Sequence, residues 1–212
     1  MKQSKFMYSV ITTFQNQIIG SISPPYVAEY EWLRQNVGQA NTASYQRRYR
    51  TFWVMRGVSS NFYTSYFAAL SAAASQPPTL SGLCQTLSLS STRKDGTQTL
   101  QFSFATKLLH VVQPQIPIYD SRVCRFYLFQ QQPPMKLTPQ QKTSRLIAFH
   151  SFLIAEYARV ITSGKLAPAI AAFRNRFNPQ MHGDEKIVDW LIWALVGLAD
   201  SGALLNGAIT YL

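Results

Sequence analysis

Acidic residues are scarce in this chain. Nine Asp and Glu face twenty Lys and Arg, a formal charge of +11 over 212 residues. That surplus favours a polyanionic partner, nucleic acid first and an acidic membrane surface second; a basic chain with no such partner is the plain alternative. Cysteine and histidine are scarcer still. Cys84 and Cys124 form no Cys-x-x-Cys pair, and His110, His150 and His182 stand at no zinc-type spacing, so neither a metal nor a cofactor is expected. Two isolated thiols read as small apolar side chains in a reducing compartment, which points to the cytoplasm. Long hydrophobic runs are missing too. The most apolar stretch, "IVDWLIWALVGLA" at residues 187–199, falls short of the roughly 20 residues that cross a bilayer. It reads as a buried C-terminal helix, and no membrane partner is expected. The opening "MKQSKFMYSVITTFQNQIIG" is broken by Gln and Thr, so it does not read as a signal peptide. No internal repeat is visible.

Hydrophobic residues make up 47% of the chain, enough for a globular core. Helix punctuation dominates its layout. Ser23-Pro24 reads as an N-cap followed by Pro at the first helical position, opening a helix to about Val37. Residues 42–56 read as a second helix. Ser60 is a candidate cap for "NFYTSYFAALSAAA", which Pro77-Pro78 stops. Thr138, Pro139 and Gln141 form a capping box that opens the longest helix, to about Thr162. "APAIAAFRNRF" starts another, and Asp184 opens the last. "TQTLQFSF" alternates only weakly, so strands are not expected. The fold class is all-α, read as a single domain over residues 1–212. The Pro- and Gln-rich residues 130–141 are the candidate boundary between two lobes around a cleft.

The chemistry concentrates in "FSFATKLLHVVQPQIPIYDSRV", residues 102–123. A helix laid over residues 99–113 puts Leu100, Phe104, Leu108 and Val111 on an apolar stripe. Ser103, Thr106, Lys107 and His110 share the other side, with Lys107 and His110 three apart and therefore neighbours. This polar side carries little charge for a solvated face and reads as the lining of a site; a solvated lysine, and a histidine facing the last carbonyls, are the bland alternative. Pro114 ends the helix, Pro117 keeps the connection extended, and Asp120 stands at the N-cap of "SRVCRFYLF". Capping alone accounts for an Asp there, yet a capped carboxylate is also held in one place.

Taken together, these residues resemble a known family. "ATK" at 105–107 is similar to the Gly-Thr-Lys, and "IPIYD" at 116–120 to the Val-Pro-Val-Asp, of the lysine-dependent helix–hairpin–helix DNA glycosylases. The 8-oxoguanine DNA glycosylase-like branch is the nearest. The resemblance covers about residues 80–130. It departs from the family in lacking the glycine-rich hairpin, in the shorter Lys-to-Asp interval and in the extra Tyr119. It implies that Lys107 is a Schiff-base nucleophile and Asp120 the carboxylate beside the sugar. The implied activity is excision of a damaged base, an oxidised purine, with abasic-site cleavage, by a monomer acting on damaged duplex DNA. Such a lysine attacks only as the neutral amine, and an ordinary lysine titrates near ~10.4. Apolar surroundings and a cationic neighbour would bring it down, while Asp120 would oppose them.

An extruded base needs aromatic walls. Phe126, Tyr127, Trp190 and Trp193 are candidates, with core packing as the alternative for each. For the DNA backbone, "YQRRYRTFWVMR" interleaves Arg47, Arg48, Arg50 and Arg56 with aromatic rings. Arg93 and Lys94 lie in the hairpin position, and Arg122 and Arg125 follow Asp120 closely. A non-catalytic basic helical nucleic-acid-binding protein remains open on the same residues, as does a helical protein with a protein partner.

Overall fold

The computed structural model describes residues 2–91, 98–130, 137–180 and 183–204, with side chains from Met7 onward. Among the described residues the chain is all-helical. The helices are α1 (Lys2–Thr13), α2 (Gln15–Gly20), α3 (Pro24–Gln35), α4 (Ala43–Phe52), α5 (Ser60–Ala73) and α6 (Leu80–Ser90). After them come α7 (Phe102–Val112), α8 (Ser121–Phe126), α9 (Pro139–Thr162), α10 (Ala167–Phe177) and α11 (Asp184–Asp200). None is long and apolar enough to cross a membrane.

Side-chain oxygens start many of these helices by accepting otherwise unpaired backbone N–H groups. Thr42 accepts from Tyr45, Thr79 from Gly82, and Asp120 from Val123. The Thr138–Gln141 capping box forms as expected. The third punctuated helix is capped by Ser59, not Ser60, because the Ser59 hydroxyl accepts from Phe62. The helix expected over 42–56 stops at Phe52. There the chain closes with Met55 N–H on the Arg50 carbonyl and Val54 left-handed at φ +50°. The same closure ends α8 early: Phe129 N–H bonds Cys124 O, with Leu128 at φ +54°. The helix laid over 99–113 begins only at Phe102. Thr99 and Gln101 are instead spent on Ser91, which receives the Thr99 N–H at 2.7 Å and the Gln101 amide at 2.9 Å.

One connected core runs from Met7 to Val196. Its centre is α11, which packs against α8, α2, α9 and α10. Burial on almost every side explains why its sequence is so continuously apolar. The packing of α8 and α11 together, and of α3 beside α4 and α7, brings α7, α8 and α11 round one region.

Candidate active site

Lys107 leaves α7 half-buried, its Nζ 5.3 Å from the Phe104 ring and 5.8 Å from Trp53. The ion pairs among the described residues do not include it. Burial pushes its pKa below the usual lysine value, and the nearby Lys186 ammonium adds to that. The carboxylates of Asp120 and Asp189 act in the opposite direction. Desolvation is the largest of these effects, so the neutral amine is favoured relative to a solvated lysine.

Asp120 is half-buried at the N-cap of α8, where one oxygen, Oδ1, accepts Val123 N–H at 2.8 Å. The cap fixes the carboxylate and leaves Oδ2 outside that bond. What fixes the cap is the connection before it. Thr106 Oγ1 accepts Tyr119 N–H at 3.1 Å. His110 Nδ1 donates to Ile116 O at 2.6 Å, and His150 Nε2 donates to Pro117 O at 2.8 Å.

This corrects the reading of α7's polar side. His110 was expected to line the site beside Lys107. It is 0% exposed, with Nε2 bonded to the Tyr30 hydroxyl at 2.6 Å. Thr106 is equally buried. Both clamp the segment that returns to Asp120, because α3 and that segment cover the face that a lone helix would leave open. Ser103 stays half-exposed on the same helix, one turn before Lys107.

A second charged pair completes the region, and sequence reasoning did not single it out. Lys186 Nζ bonds Asp189 Oδ2 at 2.8 Å, with both side chains buried. The ammonium rests among the rings of Tyr30 at 4.8 Å, Trp190 at 5.1 Å and Trp53 at 5.4 Å. Asp189 Oδ1 and the Trp53 indole N–H are buried with no hydrogen-bond partner among the described residues. Burial raises the Asp189 pKa, while Lys186 and Lys107 hold it down. A signal for this pair existed in the sequence. Lys and Asp three apart at the start of a largely apolar helix are placed to meet, and burying both is costly unless they do.

The aromatic candidates separate. Trp190 is buried beside Lys186. Trp193 is 38% exposed and carries the Arg122 guanidinium 3.8 Å above its ring. Phe126 and Tyr127 belong to another group: Phe126 packs on Tyr8, and the Tyr127 hydroxyl meets that of Tyr8. Tyr127 also packs on Phe149 and Phe152.

The basic candidates divide as well. Arg47, Arg50 and Arg56 are exposed and surround a hollow of about 340 Å³ with Thr51, Val54 and Met55. Arg48 is turned inward: its guanidinium takes both oxygens of Glu29 and covers Trp32 at 3.4 Å. Arg125 pairs with Asp200. Arg93 and Lys94 lie outside the described residues. A larger cavity of about 910 Å³, lined by hydroxyls and amides such as Ser59, Ser88, Gln98 and Gln140, does not include Lys107 or Asp120. Both cysteines are buried and neither is in a disulfide, and burial pushes Cys84 up to about 11. No group of three His, Cys, Asp or Glu among the described residues could hold a metal ion.

No protein-family model, curated protein or solved structure matches this chain.

Proposed function

We propose that the chain is a DNA base-excision glycosylase with abasic-site lyase activity. It takes a damaged base, an oxidised purine in the first instance, from duplex DNA. In this reading α6 and α7 stand where the helix–hairpin–helix family has its helix pair, two lobes flank the cleft, and residues 1–212 act as one monomeric domain in a reducing compartment. The observation that carries it is Lys107: a half-buried amine outside the ion pairs, its pKa brought down by burial, beside a capped carboxylate whose backbone is clamped in place.

The neutral Lys107 amine attacks the sugar C1′, and the bond to the base breaks with its electron pair going to the departing base. Positive charge developing on the sugar is met by Asp120. The C1′–O4′ bond then breaks, O4′ takes a proton as it becomes a hydroxyl, and the nitrogen lone pair closes the C1′ imine of the opened sugar; that imine acidifies the C2′ proton, whose loss expels the 3′ phosphate by β-elimination. Borohydride reduces such an imine to a stable amine, so it should trap the protein on duplexes carrying an 8-oxoguanine or an abasic site. Trapping should vanish in a folded Lys107→Gln variant; undiminished trapping would remove Lys107 from the role. Asp120→Asn should slow excision more than it weakens binding.

The three exposed arginines around the α4 hollow favour a second reading, a non-catalytic nucleic-acid-binding module. It requires salt-sensitive binding with no trapped product on any of these substrates.

A further inference from the structure

Three rings, from α4, α3 and α11, form a column. Phe52 stacks on Tyr26 at 4.4 Å and 20°, and Tyr26 on Trp193 at 6.0 Å and 13°. Tyr26 also packs on Trp190 at 6.4 Å, and the Lys186 ammonium lies 5.1 Å from that ring, so the column stands at the charged region described above. Phe52 is buried, whereas Trp193 is 38% exposed. The column therefore ends at the surface in a flat ring.

That ring is covered by one guanidinium. Arg122 lies 3.8 Å over Trp193 and donates a long 3.3 Å bond to the Trp193 carbonyl. Unlike Arg48 and Arg125, it belongs to none of the ion pairs among the described residues. A guanidinium is planar and stacks on aromatic faces, so it satisfies a surface that would otherwise take a flat heterocycle. The backbone makes room for it: a Cβ at Gly197, one turn after Trp193 on α11, would lie 2.9 Å from an Arg122 nitrogen. Glycine inside a helix is disfavoured relative to alanine, and here its missing side chain lets Arg122 lie across α11.

We propose that the exposed end of this column seats a single unpaired nucleobase and that Arg122 is its removable cover, lying on Trp193 in the empty protein and turning to the phosphate strand when a base takes its place. This rests on the part of the reading above in which the chain binds an extruded base, and not on chemistry at Lys107. Aromatic faces hold bases with little regard to their identity. Arg122 is the element that ties occupancy of the seat to a free cation beside the strand.

The test uses the full chain and two DNA duplexes, identical except that one carries a single bulged guanine. Binding is read by fluorescence anisotropy, and the ratio of the two affinities reports the seat. The wild-type chain should prefer the bulged duplex about tenfold. In Trp193→Leu the preference should fall to nearly none, with affinity for the fully paired duplex as the internal reference. In Gly197→Ala the added methyl pushes the cover aside while keeping its charge, so the preference should rise about threefold. A wild-type chain without preference, a Trp193→Leu variant that keeps it, or a Gly197→Ala variant that leaves it unchanged or lowered overturns the proposal. Absence of borohydride trapping beside an intact bulge preference would remove the lyase chemistry and leave the seat standing.

Discussion

Thr106 Oγ1 accepts the backbone N–H of Tyr119 at 3.1 Å, one residue before Asp120. On the same helix Lys107, the next residue, and His110, one turn on, divide the remaining work: the lysine reaches the site, and the histidine holds Ile116. The helix that supplies the proposed nucleophile therefore also sets the position of its carboxylate.

Removing that clamp should be costly. Thr106→Val keeps the shape but leaves the Tyr119 N–H buried without an acceptor, a loss of about 1–3 kcal/mol. Urea unfolding measures it. The trapping rate should fall further than DNA affinity does, because Asp120 moves while the α4 arginines do not. Equal losses in both would show that the clamp serves stability alone.

The pH profile follows from the sign of the Lys107 shift. Its neutral amine is the reactive form, so the trapping rate should rise with pH through a midpoint below the ordinary lysine value of 10.5 and level off above that midpoint. Asp120 raises the Lys107 pKa. Asp120→Asn should therefore move the midpoint to lower pH while reducing the plateau. A midpoint moving upward in that variant would contradict the arrangement.

Val54 and Leu128 stand at φ +50° and +54°, where side chains with a Cβ are strained by about 1–2 kcal/mol. Both are exposed, Val54 at 60%, so little packing is lost on truncation. Val54→Gly should raise stability by about 1 kcal/mol, and Leu128→Gly by less, since Leu is not branched at Cβ. Thermal and urea midpoints of the two variants read this directly.

Salt dependence separates the arginines of α4 and of the turn after it. Replacing Arg47, Arg50 or Arg56 with Gln should each reduce the log–log slope of DNA binding by about 0.9 if that residue neutralises one phosphate. Arg48→Gln should leave the slope unchanged, because Arg48 is engaged by Glu29 and Trp32. Its cost should appear as at most about 1 kcal/mol of stability, as for other exposed ion pairs.

Much of the fold could be read from local signals. The Thr138 capping box, the start of α10 at Ala167 and the start of α11 at Asp184 are all set within a few residues of chain. Features that depend on distant partners were not legible. The start of α7 depends on Ser91, ten positions before Gln101. The burial of His110 depends on Tyr30, eighty positions away. α6 follows Pro77-Pro78, which the sequence offers as an ending, yet Thr79 caps a new helix immediately. At the site, Lys107 and Asp120 stood out through their spacing and neighbours. Lys186 and Asp189 were hidden because one stands just before the apolar run at 187–199 and the other inside it, where the apolar pattern dominates.

Trp53 stands near both ammonium groups, 5.8 Å from Lys107 and 5.4 Å from Lys186. The electron-rich face of an indole attracts cations, so this ring favours the charged form of both lysines and works against the burial that lowers the Lys107 pKa. Position 53 thus carries a requirement beyond filling space. An aliphatic side chain of similar bulk would restore the packing but remove that attraction, and the proton balance of the whole region would change with it.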